Sequence, residues 1–161
     1  MNFRPQVKHL YQTNGYNCGA TSFASIFDCT IKEAEKLLRT TKTGTSTKDV
    51  CKALKSLEQP FFFTSVERDF CEIRDILILL SCRFPLYVSC AYHYQGKRGR
   101  TRIRYHAVVF ANGNVYDPDE VRVCPMDCCE HTFDKKMVVD DMIVIQHELP
   151  DFLKNFKLMA S

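Results

Sequence analysis

The sequence has no apolar run close to the roughly 20 residues needed to span a membrane, and the longest one, at residues 76–80, is far shorter. Residues 1–10 contain no apolar segment of the type that marks a secretory signal, so we expect none. Internal repeats and low-complexity tracts are also absent, and a net charge of +3 is too small to indicate nucleic-acid binding. The composition, 45% hydrophobic and 25% charged over 161 residues, excludes membrane, fibrous, disordered and repeat proteins and predicts one domain over residues 1–161.

Cysteine, in contrast, is abundant, with nine residues in the chain. An odd number without an export signal argues against a disulfide framework. Most of the nine lie inside apolar runs, where cysteine can serve as a small hydrophobic residue. We therefore predict a cytoplasmic protein whose cysteines are reduced and mostly buried. The nine are Cys18, Cys29, Cys51, Cys71, Cys82, Cys90, Cys124, Cys128 and Cys129.

The first half of the chain has the apolar spacing of helices. Residues 17–28 carry apolar side chains at the i, i+3, i+4, i+7 spacing that predicts a helix with one buried face. Thr30 and Glu33 have the spacing of a capping box, which predicts the start of a second helix. Ser46 or Thr47 is the expected cap of a third helix.

A fourth helix is predicted to begin at Asp69 or Cys71 and to end near residue 82, and the pattern then changes to strands. Its apolar spacing predicts an inward face made of Ile73, Ile76, Leu77 and Leu80. In the second half, Asn112 and Gly113 indicate a tight turn between two strands. Helices followed by antiparallel strands predict an α+β fold. Strands are expected at residues 61–66, 86–94, 103–110, 115–116, 121–123 and 137–145.

Cys18 is the strongest candidate for a nucleophile, because it falls in the first turn of the first predicted helix. The unpaired N–H groups and partial positive charge of a helix N-terminus favour the thiolate, which is the reactive form. Gly19 would allow the backbone of a substrate to approach closely. Gln12, six residues before Cys18, is placed to donate its amide N–H to a developing oxyanion. The alternative is that Cys18 is another buried thiol.

A thiolate nucleophile needs a base, and the base needs an orienting group. His106 precedes an apolar run, so we expect it at the start of a strand and facing a cleft. If the two strands around Asn112 and Gly113 form a hairpin, Asp117 returns beside His106 and can fix its tautomer. Asp119 is expected to lie beyond reach, after the turn at Pro118. The alternative is a half-buried histidine and an unrelated Asp-Pro turn.

Together these residues resemble the papain-like cysteine peptidases, in particular the bacteriocin-leader (double-glycine) peptidases and their stand-alone relatives. The resemblance implies an N-terminal helical subdomain packed on an antiparallel sheet. It implies that Cys18 is the nucleophile, His106 the general base, Asp117 its orienting partner and Gln12 an oxyanion donor. The motifs that carry it are Gln12, Cys18, Gly19 and Ala20, the loop Gly44-Thr45-Ser46, residues 84–88, His106 to Val109, and Asp117-Pro118.

The resulting hypothesis is a thiol hydrolase that cleaves a peptide, isopeptide or related amide bond in a peptide or protein substrate, without a cofactor or metal. The same triad also serves acyl transfer and the deconjugation of ubiquitin-like modifiers. A non-catalytic peptide-binding module on the same fold is the alternative from another class. Because leader peptidases are usually fused to transporters, cleavage after a double-glycine leader is not carried over to this chain.

Two further clusters remain open. Residues 96–104 carry five cationic side chains, which predict an acidic peptide segment or acidic partner beside the cleft, or else a solvated hairpin tip. Without interleaved aromatic residues or a known nucleic-acid module, binding of nucleic acid is not expected there. Cys124, Cys128, Cys129 and His131 have one zinc-like spacing but no second pair, so a cysteine-rich loop is favoured over a metal site.

Overall fold

The computed structural model describes residues 6–120, 122–127 and 136–146, and its architecture is α+β, as the sequence predicts. The described residues form four helices, mostly in the first half of the chain: α1 Cys18–Phe27, α2 Ile31–Leu38, α3 Thr47–Ser56 and α4 Phe70–Ser81. The strands are β1 Phe61–Asp69, β2 Leu86–Gln95, β3 Thr101–Ala111, β4 Asn114–Tyr116, β5 Cys124–Pro125 and β6 Lys136–Ile145. Within these described ranges, no helix is both long and apolar enough to cross a membrane.

The starts of α2 and α3 are fixed by side chains that satisfy the free N–H groups of the first turn. Thr30 accepts a hydrogen bond from the main-chain N–H of Glu33, whose carboxylate accepts one in return. Ser46 and Asp49 form the same reciprocal capping box at the start of α3. Ser46, not Thr47, is therefore the cap of the third helix.

The six strands form one antiparallel sheet in the order β1-β6-β2-β3-β4-β5. The last strand, β6, lies between β1 and β2, so pairs of strands distant in the chain hold the middle of the sheet together. Asn112 and Gly113 turn β3 into β4, and both have positive φ values, 53° and 72°. This is the backbone of a two-residue hairpin turn, and it confirms the predicted reversal.

Each face of the sheet carries its own apolar core. Helices α1, α2 and α3 pack on one face, where Phe23, Leu38 and Leu54 meet Tyr87 and Val109. Helix α4 packs on the other face, where its Phe70 and Leu77 lie among side chains of β2, β3 and β6. The catalytic candidates on α1 and β3 are thus brought together by packing of the first core.

Three expectations about burial and strand positions are wrong. Ile76 of α4 is 60% exposed, because α4 lies on the sheet along a narrow face that includes Leu77. Of the seven described cysteines, only Cys90 is buried, while Cys71 and Cys82 are exposed. Residues 122 and 123 are not in a strand, and the short β5 begins at Cys124. Val121, Cys128, Cys129 and His131 lie outside the described residues.

Candidate active site

Cys18 is the first residue of α1, and the loop before it is anchored by the buried side chain of Asn17. The Oδ1 of Asn17 accepts hydrogen bonds from the main-chain N–H groups of Thr13 (3.2 Å) and Asn14 (3.4 Å). Its Nδ2 donates to the Thr13 hydroxyl (2.8 Å) and to Oε1 of Glu35 on α2 (2.9 Å). Asn17 thereby fixes the loop that positions Cys18. The sequence motif contains Asn17, but only its buried contacts reveal this role.

Gly19 allows a close contact within the protein itself, and its expected role toward a substrate backbone stays a prediction. A Cβ at this position would lie 2.8 Å from the Tyr87 hydroxyl and 2.9 Å from Cβ of Thr45. Glycine therefore lets α1 approach β2 and the loop before α3, both of which belong to this chain. Because Tyr87 and Thr45 also line the cleft, the close contact at Gly19 shapes its floor.

His106 lies in the middle of β3, not at the start of a strand, since β3 begins five residues earlier, at Thr101. The ring is buried, with 4% of the residue exposed. Its Nε2 is 2.7 Å from Oδ1 of Asp117, as the predicted hairpin requires. The other nitrogen, Nδ1, is buried and has no nitrogen or oxygen partner among the described residues, and the thiol of Cys18 is the group that interacts with the ring on this side.

The charges of these three groups are coupled. Burial alone would raise the pKa of Cys18, but its hydrogen bond to His106 and the positive charge of that ring lower the pKa below its usual value. Burial alone would lower the pKa of His106, but Asp117 and Cys18 raise it to about 9. Burial opposes ionisation of Asp117 too, yet His106 holds the pKa of this carboxyl below its usual value. Both shifts favour the thiolate–imidazolium pair over the neutral thiol–imidazole pair.

Asp119 is not beyond reach of the site, contrary to expectation. The turn that begins at Asp117 folds back, because the main-chain N–H of Glu120 donates to the carbonyl of Asp117 (3.1 Å). The N–H of Asp119 then donates to Oδ1 of Asp117 (2.8 Å). The Oδ2 atom of Asp119 lies 2.6 Å from Nη2 of Arg104 and 3.9 Å from Nε2 of His106. The carboxylate of Asp117 thus pairs with His106, and that of Asp119 pairs with Arg104. His106, Asp117 and Asp119 are also close enough together, and of the right residue types, to bind a metal ion.

Gln12 is attached to this turn, and it does not line the cleft. Its main-chain N–H donates to the carbonyl of Pro118 (3.1 Å), and its side-chain amide donates to Oδ1 of Asp119. The side chain therefore lies beside the His106–Asp117 pair, and one of its two amide hydrogens is taken. Its role as an oxyanion donor stays a prediction.

The cleft beside Cys18 and His106 has a volume of about 180 Å³ and opens to solvent. One wall comes from the loop before α3, with Thr43, Gly44 and Thr45. The opposite wall comes from β2 and β3, with Ser89, Tyr105 and Ala107 among its residues. The arrangement can hold an acyl group between these two walls, within reach of the thiol.

The fold is that of papain-like peptidase domains, an α+β architecture with the helical subdomain first. One solved structure that it matches is a double-glycine-motif protease from an AMS/PCAT transporter, in complex with the leader peptide. The two chains are 17% identical with a TM-score of 0.50, and the match covers 89% of this chain and 94% of that one. Another is the peptidase domain of Streptococcus ComA, a bifunctional ABC transporter involved in a quorum-sensing pathway. It is 20% identical with a TM-score of 0.49, and the match covers 85% of this chain and 97% of that domain.

No protein-family model matches the chain. No curated protein matches it either.

Proposed function

We propose that the protein is a cysteine peptidase in which Cys18 is the nucleophile, His106 the general acid and base, and Asp117 the group that orients His106. The observation that carries the proposal is the line of three coupled groups at the cleft. Asp117 holds one ring nitrogen of His106, and the ring in turn lowers the pKa of the Cys18 thiol. A histidine placed between a carboxylate and a thiol is the arrangement that activates sulfur as a nucleophile.

The proposed reaction has two stages. The Cys18 thiolate attacks the carbonyl carbon, and the imidazolium of His106 protonates the leaving amine, so that a thioester remains. Water, deprotonated by His106, then attacks the thioester and restores the thiol. The main-chain N–H of Cys18 and the free amide hydrogen of Gln12 are the proposed donors to the oxyanion in both stages.

The substrate class that we propose is a peptide in extended conformation. The cleft opens to solvent, and a structure with the same fold was solved with a leader peptide bound. A reducing compartment such as the cytoplasm suits an enzyme whose reactive group is a thiolate.

The lowered pKa of Cys18 favours catalysis over a peptide-binding role. A module that only binds peptides does not need a thiolate. The pKa of Cys18 is lowered by His106, whereas burial raises the pKa values of Cys29 and Cys51, which lie away from His106. Acyl transfer and deconjugation share the first stage of the reaction, and they differ in whether water or another nucleophile clears the thioester.

The test is alkylation by iodoacetamide at pH 7, followed by mass mapping of the modified cysteines. Cys18 is expected to react first, and Cys18→Ser is expected to abolish both the fast phase and peptide hydrolysis. Cys29→Ser is the matched control, since it removes a thiol at the other end of α1 and should leave both unchanged. Slow labelling of Cys18 beside fast labelling of several other cysteines would show that the nucleophile is assigned wrongly.

A further inference from the structure

The end of the β2–β3 hairpin that extends past the cleft, residues 95–105, contains no acidic residue and five basic ones. We call it the basic arm. Its tip is closed by two main-chain hydrogen bonds, from Gly96 to the carbonyl of Arg100 and from Gly99 to the carbonyl of Gly96. The charges are therefore held on a hydrogen-bonded hairpin. The five basic residues are Lys97, Arg98, Arg100, Arg102 and Arg104.

Arg102 and Arg104 lie two residues apart in β3, so their side chains lie on the same face of the strand. Arg100 lies two residues before Arg102, directly before the start of β3. Arg104 is engaged by Asp119. Arg100 and Arg102 form no ion pair with any residue that the structure describes. The opposite face of β3 presents Ile103 and Tyr105, which are 51% and 72% exposed. Tyr105 also lines the cleft. The arm thus has a cationic face and an apolar face.

The edge of β3 beside this arm also has unpaired main-chain groups. β4 pairs only with residues 109–111 of β3, and the turn at Asn112 and Gly113 makes Ala111 and Asn114 a hydrogen-bonded pair. The main-chain N–H and C=O groups of successive residues point to alternate edges of a strand. Those of Ala107, Tyr105 and Ile103 therefore point to the same edge as those of Ala111. The carbonyl of Ala107 accepts a hydrogen bond from Ser22 of α1 (3.0 Å), and its N–H lies against the Cys18 sulfur. Tyr105 and Ile103 have no main-chain partner on that side among the described residues.

We propose that the basic arm binds the peptide substrate as an added strand along β3, and that it selects a segment in which acidic and apolar residues alternate. The main chain of the peptide would pair with Ile103 and Tyr105, as peptides do when they extend a sheet at a free edge. Its acidic side chains meet Arg100 and Arg102, while its apolar side chains cover Ile103 and Tyr105. Since both strands rise about 3.3 Å per residue, the acidic positions lie about four to six residues from the bond that Cys18 attacks. This inference rests on the proposed peptidase function and adds the substrate class.

The test uses six-residue peptides of alternating glutamate and valine in both registers, with glutamine-valine peptides as neutral counterparts. Each is made with a chloroacetyl group at its N-terminus and, separately, with a chloromethyl ketone at its C-terminus. In either case the Cys18 thiolate displaces chloride and forms a thioether, so the rate of modification measures binding beside the sulfur. One register at one end is expected to react about tenfold faster in its glutamate form, as two exposed ion pairs allow. The advantage should shrink as salt screens the charges.

The arm variant is Arg100→Gln with Arg102→Gln, which leaves Arg104 and its contact with Asp119 intact. It is expected to react with the glutamate and glutamine peptides at equal rates. Lys48→Gln with Lys55→Gln removes the same charge from the exposed side of α3 and should keep the tenfold preference. Equal rates for both peptides in the unaltered protein, or a preference that survives the arm substitutions, would overturn the proposal. Equal acceleration in both registers would overturn the added-strand geometry.

Iodoacetamide separates this inference from the function on which it rests. The reagent is too small to contact the arm, so its rate at Cys18 measures the nucleophile alone. Fast alkylation of Cys18 without a glutamate preference would reject the substrate class and keep the peptidase. Slow alkylation would reject the peptidase itself.

Discussion

Cys18 and His106 change each other's pKa in the folded protein. In an unfolded chain near pH 7 the thiol keeps its proton and the imidazole is mostly neutral. In the folded protein the pKa of His106 is raised and the pKa of Cys18 is lowered, so both shifts favour a proton on the ring over a proton on the sulfur. Asp117, whose Oδ1 lies 2.7 Å from Nε2 of His106, supplies the negative charge that stabilises the protonated ring.

The pH dependence of alkylation follows from this pair. Because the pKa of His106 is raised to about 9 and the pKa of Cys18 is lowered, the rate with iodoacetamide should rise less between pH 7 and pH 8.5 than the rate of an ordinary thiol. The same protein unfolded in urea presents ordinary thiols with a pKa of about 8.5, so its rate should rise more than tenfold over that range. Stopped-time labelling with mass detection measures both. Parallel pH profiles for the folded and unfolded protein would contradict the ion pair.

Asp117→Asn should lower stability in a pH-dependent way, measured in the Cys18→Ser background so that the thiol does not titrate. The raised pKa of His106 stabilises the folded state fully below about pH 6.5, and this stabilisation is lost as the pH rises through the folded-state pKa. The lowered pKa of Asp117 adds stability above about pH 4, which is lost in acid. The difference in Tm between the two proteins should therefore be largest near pH 6 and shrink toward pH 9. A difference that grows with pH would reverse the assigned roles.

Gln12→Ala should lower kcat about 100-fold to 1000-fold with little change in KM, as expected for loss of one oxyanion donor. Asp119→Ala should reproduce part of this loss, because it releases the Gln12 amide and Arg104 together. Asp119→Asn keeps a carbonyl oxygen for Gln12 and should restore much of the activity. Steady-state kinetics on one peptide compares the three variants. An unchanged kcat in Gln12→Ala would remove Gln12 from the site.

The N-terminal turn of α1 depends on a contact that only glycine allows. Gly19→Ala would push a methyl group against the Tyr87 hydroxyl and Thr45, so we expect a loss of about 1–3 kcal/mol in the free energy of unfolding. Gly15→Ala is the control for stability, because a Cβ there meets no atom within 4 Å. Urea unfolding measures both. Equal stability of the two variants would show that α1 can shift to make room.

Local patterns predict some features of these elements and miss others. The capping boxes at Thr30 and Ser46 are encoded within four residues, so the starts of α2 and α3 can be predicted from sequence. The apolar spacing of α4 gives the direction of its inner face but not how much of that face is covered, and Ile76 therefore remains exposed. The position of Asp119 depends on a hydrogen bond from its own N–H to Asp117, which the residue types alone do not specify.

The order of the strands is the feature of the whole molecule that the sequence conceals. The β3–β4 hairpin is local, so the closeness of His106 and Asp117 could be predicted from a turn signal. Nothing local indicates that β6 lies between β1 and β2, because its partners precede it by many residues. For the same reason, the sequence could place Cys18 near His106 only through the resemblance to papain-like peptidases.

A truncated protein that ends after residue 127 tests how the site depends on the complete sheet. It keeps Cys18, His106 and Asp117 but lacks β6, which has partners on both sides. Because β2 and β1 would then have no strand between them, we expect the core under α1 to loosen and Cys18 to be alkylated at the rate of an unfolded thiol. The full chain, mixed with urea and diluted back, is the control for recovery of the fast rate. Fast labelling of the truncated protein would show that the site forms without β6.

The central position of β6 has a consequence for biosynthesis. During synthesis Cys18 emerges first, His106 and Asp117 emerge much later, and β6 is the last of the described strands to emerge. Because β6 lies between β1 and β2, the sheet that positions these residues is completed only when residues 136–145 have left the exit tunnel. The order of synthesis therefore delays the assembly of the proposed triad until β6 has emerged.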